Sequence, residues 1–172
     1  MPPKAVKTIR DLIYWEYAKL ISGSAGFGRK QFPFVMRKFI ELKKGIIKWS
    51  DILREDLKTD KNECVYCGSK QALSNDHIVP KRECHFKEIH NIVTSCSRCN
   101  SSKGDKDLIE WYGLERRYGI PRIVMGKYLK MIYICHERRG TLDKGDINKD
   151  GLLNVLDLGA IFKEECIKNG RY

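Results

Sequence analysis

The sequence lacks any long apolar run. None of its hydrophobic stretches reaches the roughly 20 residues that a membrane-spanning helix needs. Residues 1–7 contain no apolar stretch either, so nothing there resembles a secretory signal. We therefore expect a cytoplasmic protein without membrane association. In that reducing compartment, paired cysteines bind metal more often than they bind each other.

Acidic residues are scarce relative to basic ones. The 172 residues include 22 aspartates and glutamates against 33 lysines and arginines, which gives a formal charge of +11. The sequence pI is about 9.3. Basic surfaces also serve solubility and binding to anionic membranes, but nucleic acid is the usual partner of such an excess. With 42% hydrophobic residues, the chain can form one core and a small appendage.

Cysteine has the most informative pattern. Four of the seven cysteines form two Cys-x-x-Cys pairs, Cys64 with Cys67 and Cys96 with Cys99. Two such pairs supply the four thiolates of a tetrahedral zinc site; two disulfides or buried thiols are the alternatives. We predict structural zinc. The remaining cysteines lack paired spacing and are expected to be small buried or idle thiols: Cys84, Cys135 and Cys166.

Hydrophobic periodicity divides the chain into helices around a short pair of strands. Apolar residues at helical spacing predict helices over residues 6–21, from Phe32 to about Gly45, and from Pro121 to about Gly140. Between them, the pattern predicts strands over residues 73–79 and 89–94. One helix then runs from Ser95 or Ser97 to Tyr112, weakened in its middle by Gly104.

We therefore predict an α+β fold that is mostly helical. A small zinc-bound strand–strand–helix module is embedded between helices, and a short loop and helix close the chain. The expected divisions are an N-terminal helical segment (residues 1–60), the zinc module with its following helix (61–140) and the tail (141–172).

The segment between the cysteine pairs adds catalytic residue types. It contains Asp76-His77-Ile78-Val79-Pro80 and His90-Asn91-Ile92-Val93, and Asn100 and Lys103 follow the last cysteine. With the cysteines, this segment resembles the HNH endonucleases of the ββα-metal type over roughly fifty residues. The resemblance implies that His77 is the general base and that Asp76 and Asn100 bind a catalytic magnesium or manganese ion. It also implies that Asn91 braces the loop between the strands. Many relatives carry Gly-Gly where residues 81–86 lie here.

Phosphodiester hydrolysis is consistent with these residues. It needs a deprotonated water in line with the phosphate and a cation at the leaving oxygen. Histidine titrates near neutral pH and can accept a proton from water, while a carboxylate and an amide oxygen suit magnesium or manganese. Lys103 adds positive charge at the phosphate in this interpretation, and a solvated helix lysine is the alternative. His85 and His90 are expected to form hydrogen bonds or contact DNA.

The tail carries a second pattern. Oxygen-bearing side chains occupy positions 1, 3, 5, 9 and 12 of a loop whose sixth residue is Gly151. These side chains are Asp146, Asn148, Asp150, Asn154 and Asp157. The backbone carbonyl of Leu152 would supply the ligand at position 7. The loop, with a helix expected over residues 155–167, resembles a single dockerin-type calcium repeat. A polar turn rich in Asp, Asn and Gly is the alternative.

Three functions compete. A metal-dependent DNA endonuclease uses all the distinctive residues between Cys64 and Lys103, with RNA as an alternative substrate. A non-catalytic zinc-ribbon nucleic-acid-binding protein would need the cysteines and the charge but not Asp76, His77 or Asn100. A calcium-dependent adaptor would use only the tail. The sequence allows a homodimer, since one site cuts one strand. We predict the endonuclease, with a tail that its chemistry does not require.

Overall fold

The computed structural model describes residues 2–27, 31–48, 62–80 and 91–161. Within these ranges the chain is mostly helical with one two-stranded sheet, as predicted. The elements are α1 (Ile9–Ser24), α2 (Phe32–Lys43), β1 (Leu73–His77), β2 (Ile92–Cys96), α3 (Ser97–Lys103), α4 (Leu108–Arg116) and α5 (Arg122–Arg138). A 3-10 turn, Arg117–Gly119, lies between α4 and α5, and residues 156–161 are helical. None of the helices in the described ranges has the length and apolar character to span a bilayer.

The first two helices pack as a pair. α1 starts at Ile9, later than predicted, because the Thr8 side chain caps it by accepting a hydrogen bond from the backbone N–H of Asp11. α2 has proline in its first turn and is followed by Gly45 at φ +68°, a left-handed conformation that suits glycine. Trp15 of α1 packs edge-on against Phe39 of α2, with ring centroids 5.8 Å apart.

α5 is the central helix of the core. It begins directly after Pro121, as predicted, and its side chains Tyr128 and Ile132 are fully buried. It contacts α1, where Nη1 of Arg10 donates a hydrogen bond to the Tyr133 hydroxyl at 3.1 Å. The apolar side chains that form the core come from α1, α2, α4, α5, the hairpin and the tail.

The hairpin joins the core through α5. β1 and β2 pair antiparallel, with Leu73 opposite Cys96 and His77 opposite Ile92. The ammonium of Lys127, on α5, donates a hydrogen bond to the Ile92 carbonyl at 2.9 Å. α3 follows β2 directly, so two strands and a helix form the predicted unit. The strand–strand–helix unit is therefore attached to the helical core through β2.

The predicted continuous helix from β2 to Tyr112 is wrong. α3 ends at Lys103 because Gly104 has φ +52°, outside the helical region. α4 starts anew after Asp107, whose carboxylate accepts a hydrogen bond from the Ile109 N–H at 2.9 Å and caps the helix. Because of this break, α4 is a separate helix beside α3, and a cleft opens between the two helices.

The tail is packed into the same core. The N–H of Ile9 donates to the Lys144 carbonyl, and the N–H of Arg10 donates to the Leu142 carbonyl, both at 2.8 Å. Leu158 and Ile161, on the C-terminal helix, are buried in the common core. Residues 162–167 of the helix predicted here lie outside the described residues. The appendage expected from the sequence therefore contributes to the stability of the helical core.

Cys135 corrects one expectation. We expected a small buried or idle thiol; Cys135 is buried as that expectation allows, but it is disulfide-bonded rather than a free thiol. The side chain is buried near the end of α5. Cys84 and Cys166 lie outside the described residues.

Candidate metal centre and active site

The four paired cysteines converge on one point. The sulfur atoms of Cys64, Cys67, Cys96 and Cys99 all lie within 4.8 Å of one another, and those of Cys67 and Cys96 are 3.7 Å apart. A tetrahedral zinc ion with Zn–S bonds of about 2.3 Å separates its sulfurs by about 3.8 Å. All four cysteines are free rather than disulfide-bonded. The donor set and its spacing therefore fit a tetrahedral metal ion, and the disulfide alternative is excluded for these cysteines.

The backbone positions these thiols. In the first pair, the N–H of Gly68 donates to the Cys64 carbonyl at 2.8 Å, and Gly68 has φ +74°, so the chain turns tightly at the cysteines. The N–H of Val65 donates to the Thr94 carbonyl at 2.9 Å, which fixes this turn on β2. The second pair follows at once, since Cys96 ends β2 and Cys99 lies in α3. The cysteine cluster thus ties the start of the module to the start of its helix.

The same backbone prepares a thiolate. Burial alone would raise the pKa of the Cys64 thiol, but N–H groups of Cys96, Cys67 and Tyr66 hydrogen-bond to it and lower that pKa to about 6. Burial raises the pKa of Cys99, and contacts with the other three cysteines raise it further. A metal ion supplies the positive charge that four adjacent thiolates require.

Asp76 is buried beside the cysteine cluster. Its Oδ2 accepts a hydrogen bond from the Tyr66 hydroxyl at 2.7 Å, and its Oδ1 lies 3.4 Å from the ammonium nitrogen of Lys103. Asp76 is 4% exposed and Lys103 is 1% exposed. Burial, together with the charge of Asp76, raises the pKa of Tyr66, so the phenol remains a hydrogen-bond donor. Tyr66 therefore links the first cysteine turn to this carboxylate.

Asn100 lies over the same face of β1 as Asp76. Its side-chain NH₂ donates a hydrogen bond to the Ser74 hydroxyl at 3.3 Å, and Ser74 and Asp76 alternate onto one face of the strand. On α3, Asn100 and Lys103 lie three residues apart and so share a face that meets those two residues. With its NH₂ used on Ser74, Asn100 presents its carbonyl oxygen as the remaining ligand atom.

His77 directly follows Asp76, and neighbouring strand residues point to opposite faces. Its side chain is half-buried at the end of β1, while its carbonyl accepts a hydrogen bond from the Lys103 ammonium at 2.5 Å. Lys103 thus holds the backbone of His77 as well as the side chain of Asp76. The other candidate histidines of this segment, His85 and His90, lie outside the described residues.

Asn91 holds the backbone just after β1. Its carbonyl oxygen accepts a hydrogen bond from the Val79 N–H at 2.8 Å, and its NH₂ donates to the Val79 carbonyl at 2.7 Å. Asn91 is 3% exposed. A side-chain amide that satisfies both polar groups of one buried residue fixes the path of the chain after Asp76 and His77.

Two residues have roles that the sequence did not reveal. Lys103 was expected at the phosphate, or else as a solvated helix lysine. It is 1% exposed, and its ammonium contacts Asp76 and the His77 carbonyl. Tyr66 lies between the first two cysteines, and its hydroxyl donates a hydrogen bond to Asp76 next to the cysteine cluster. An aromatic residue within a Cys-x-x-Cys pair was the only signal in the sequence for that contact.

The carboxylates of the tail loop accept hydrogen bonds from the loop's own backbone and side-chain N–H groups. The Asp157 carboxylate accepts from the N–H groups of Ile147, Asn148 and Asn154, and the Asp146 carboxylate accepts from those of Asp150 and Gly151, at distances of 2.7 to 3.2 Å. Asp150 accepts from the Leu152 N–H and from the side-chain amides of Asn148 and Asn154. Gly151 has φ +84°, which gives the sharp turn that a calcium loop needs at its sixth position. The residues predicted as calcium ligands therefore lie together in one loop.

Comparison with known proteins finds similarity in the central module. Residues 64–106 match the model of the HNH endonuclease family. The chain is also similar to the CRISPR-associated endonuclease Cas9 of Corynebacterium diphtheriae, with 42% identity over 53 residues. The similarity covers 28% of this chain and spans 5% of the length of that relative. No solved structure matches the chain significantly. The comparisons thus support the HNH resemblance for the central module, and the family match does not extend to the tail.

Proposed function

We propose that the protein is a metal-dependent endonuclease that hydrolyses phosphodiester bonds of DNA. The observation that carries this proposal is the HNH family match over residues 64–106, the same segment that brings Asp76 and Asn100 onto one face beside the cysteine cluster. The basic charge of the chain agrees with a nucleic-acid substrate. The similar Cas9 protein is itself named an endonuclease.

Zinc is the proposed occupant of the cysteine cluster. Four thiolates in tetrahedral spacing, without an open position, are typical of a structural rather than a catalytic zinc site. The module has only two short strands and a seven-residue helix. So small a unit depends on its metal for stability, and zinc here would hold Tyr66, and through it Asp76, in place.

Asp76 and Asn100 are the proposed ligands of a catalytic magnesium or manganese ion. A carboxylate and an amide oxygen are the ligands such an ion prefers, and Asp76 keeps free lone pairs beside Tyr66. The ammonium of Lys103 is 3.4 Å from Asp76, longer than a strong charge-assisted hydrogen bond, so a divalent ion can displace it. Such an ion would neutralise the charge that develops on the leaving oxygen.

His77 is the proposed general base. A neutral imidazole at His77 would take the proton of the attacking water, and an ion held by Asp76 and Asn100 would supply positive charge at the phosphate. Lys103 and Asn91 act on the backbone of this segment, since they bind the carbonyl of His77 and both polar groups of Val79. They therefore position the base rather than contact the substrate.

Cleavage of supercoiled plasmid tests this proposal. We expect nicking or linearisation that requires added magnesium or manganese, and a loss of about 10²- to 10⁴-fold in rate for His77→Ala, which is the usual contribution of a positioned base. Asp76→Asn should also fail, while Glu115→Gln, an exposed change on α4, should cut normally. Absence of metal-dependent cleavage of any DNA or RNA form would leave the zinc-ribbon binder as the better interpretation.

Calcium is proposed for the tail loop. The positive φ of Gly151 and the inward carboxylates of Asp146, Asp150 and Asp157 support this assignment. With one loop of this kind in the described chain, calcium would stabilise the tail against the helical core. The adaptor function has no further support in the described part of the tail.

A further inference from the structure

A cleft separate from the proposed hydrolytic site opens between α3 and α4. Its volume is about 420 Å³, within the range of small-ligand sites. Its lining combines three aromatic rings with three cationic side chains: Tyr66, Trp111, Tyr112, Arg98, Lys106 and Arg116. None of these residues except Tyr66 takes part in the arrangement around Asp76. The cleft therefore requires its own explanation.

The aromatic rings are fixed in place. Trp111 packs edge-on against Tyr66, with centroids 4.9 Å apart, and against Tyr112, with centroids 5.0 Å apart. The indole N–H of Trp111 donates a hydrogen bond to the Ser102 hydroxyl at 3.1 Å, which ties α4 to α3. All three rings are only partly buried. They form a preorganised aromatic surface at which a planar group can stack with little ordering cost.

Among the described residues, the cations around the rings have no acidic partners. Arg98, Lys106 and Arg116 are exposed, and in the described part of the chain no carboxylate forms an ion pair with any of them. Arg116 donates a hydrogen bond to the Tyr112 carbonyl at 3.0 Å. Three unpaired positive charges beside three rings are complementary to a ligand that is both aromatic and anionic, and a nucleotide has these properties.

The cleft lies on the opposite side of α3 from Asn100 and Lys103, while Cys99 of the cysteine cluster forms part of its lining. Arg98 and Ser102 are four residues apart and share one helix face, while Asn100 and Lys103 share the other. Tyr66 connects the two sides, because its ring lines the cleft and its hydroxyl binds Asp76. A nucleic-acid strand held in the cleft would therefore be separated from the proposed cutting site only by the side chain of Tyr66.

We propose that this cleft binds an unpaired nucleotide of single-stranded nucleic acid next to the bond that is cut. The inference rests on the proposed function and specifies its substrate. Bases in an intact duplex are already stacked on their neighbours, whereas an unpaired base is free to stack on Trp111 or Tyr112. Its flanking phosphates would bind Arg98, Lys106 and Arg116.

Binding measurements without magnesium or manganese test the cleft apart from cleavage. Labelled single-stranded DNA, single-stranded RNA and duplex DNA of equal length are titrated at several salt concentrations. One variant removes the cleft charges through Arg98→Gln, Lys106→Gln and Arg116→Gln. The matched control removes three exposed charges elsewhere, through Lys4→Gln, Lys44→Gln and Lys48→Gln. A third variant, Trp111→Ala, removes the central ring.

We expect the cleft-charge variant to lower the slope of log K against log salt by about 2 for single strands, at about 0.7 per phosphate contact. The control should lower it by less. Trp111→Ala should weaken single-strand binding by about 5- to 150-fold, the usual contribution of one base stack, with a smaller effect on duplex. If Trp111→Ala does not fold, the charge variants decide the question, because they alter only exposed side chains.

Equal single-strand affinity and salt slope in the cleft-charge variant and its control would overturn the inference, as would equal losses for duplex and single strand. Failure of the proposed function looks different: the parent protein would bind single strands through the cleft but cut no substrate. Single-stranded DNA and single-stranded RNA both offer a base for stacking and phosphates for ion pairing. Their relative affinities show which of the two the cleft prefers.

Discussion

The cysteine cluster and the tail loop are both metal sites predicted from spacing, but the structure builds them differently. The four thiols at Cys64, Cys67, Cys96 and Cys99 face one another, with their sulfur atoms within 4.8 Å. The carboxylates of Asp146 and Asp157 instead accept hydrogen bonds from backbone N–H groups of their own loop. A thiol is a weak hydrogen-bond acceptor, whereas a carboxylate is a strong one.

The difference shows how far each spacing pattern can be trusted. Four thiols this close together have few stable alternatives to a metal, so the pattern is a strong prediction of a metal site. An oxygen-rich loop can be satisfied by its own amides, so its pattern specifies a conformation that forms with or without an ion. We therefore expect the cluster to depend on its metal and the loop only to be strengthened by it.

Loss of zinc is the largest expected effect. Cys99→Ser should release the ion and unfold the central module, because β1, β2 and α3 bury little apolar surface of their own. Zinc content by atomic absorption and thermal melting measure this. Ser97→Ala, an exposed change at the start of α3, is the control and should keep both. Full zinc content and an unchanged melting curve in Cys99→Ser would contradict the four-cysteine site.

The tail should matter for stability even without metal. Leu158→Ala should lower the free energy of unfolding by about 2–5 kcal/mol, because the side chain is fully buried in the common core. Leu156→Ala, in the same helix but 39% exposed, should have a much smaller effect. Denaturant unfolding compares the two. Equal stability of both variants would mean that the tail is the separable appendage expected from the sequence.

Much of the fold could be predicted from the sequence. Apolar spacing gives α1, α2 and α5, since each buries one or more faces in a helical core, and cysteine spacing gives the cluster. The split between α3 and α4 could not be obtained, because glycine is tolerated in some helices. In the structure Gly104 has φ +52°, and Asp107 caps α4 as a new helix. A helix break is decided by tertiary contacts that a local pattern does not contain.

The candidate site could be predicted less completely. Residue types and order pointed to Asp76, His77 and Asn100, but not to the ion-pairing of Lys103 with Asp76 beneath the strand. Nor could Tyr66 be recognised, since its contact with Asp76 joins two segments whose approach depends on the cysteine cluster. Long-range polar contacts follow from the assembled fold, and periodicity does not report them.

Acid should weaken the packing of the tail on the helical core through His136, which lies in neither proposed metal site. His136 is fully buried, with Nδ1 2.8 Å from the Thr141 hydroxyl and Nε2 3.2 Å from the Leu158 carbonyl. Burial lowers the pKa of His136 to about 4, and the charge of Arg139 contributes, while the Leu158 carbonyl opposes the shift.

Between about pH 6.5 and pH 4, His136 is therefore protonated in the unfolded chain but neutral in the folded chain. The stabilisation is fully present above pH 6.5 and decreases as the pH falls through this window, by at most about 3 kcal/mol. His136→Gln should flatten this dependence in urea unfolding experiments. A parent protein and a His136→Gln variant with the same slope of stability against pH would show that another group is responsible.

Calcium binding by the loop is the smallest expected effect and bears most directly on the contrast between the two sites. Calcium at a hundredfold excess over its Kd should stabilise the folded chain by about 2.7 kcal/mol, or roughly 5–10 °C in Tm for a chain of this size. Asp150→Asn removes one ligand charge and should abolish the shift, while Glu115→Gln, exposed on α4, should retain it. Withdrawing calcium should leave the parent folded, since the loop carboxylates return to their own N–H groups. Unfolding on calcium removal would make the loop as metal-dependent as the cysteine cluster, whereas an equal Tm with and without calcium would make it an ordinary polar turn.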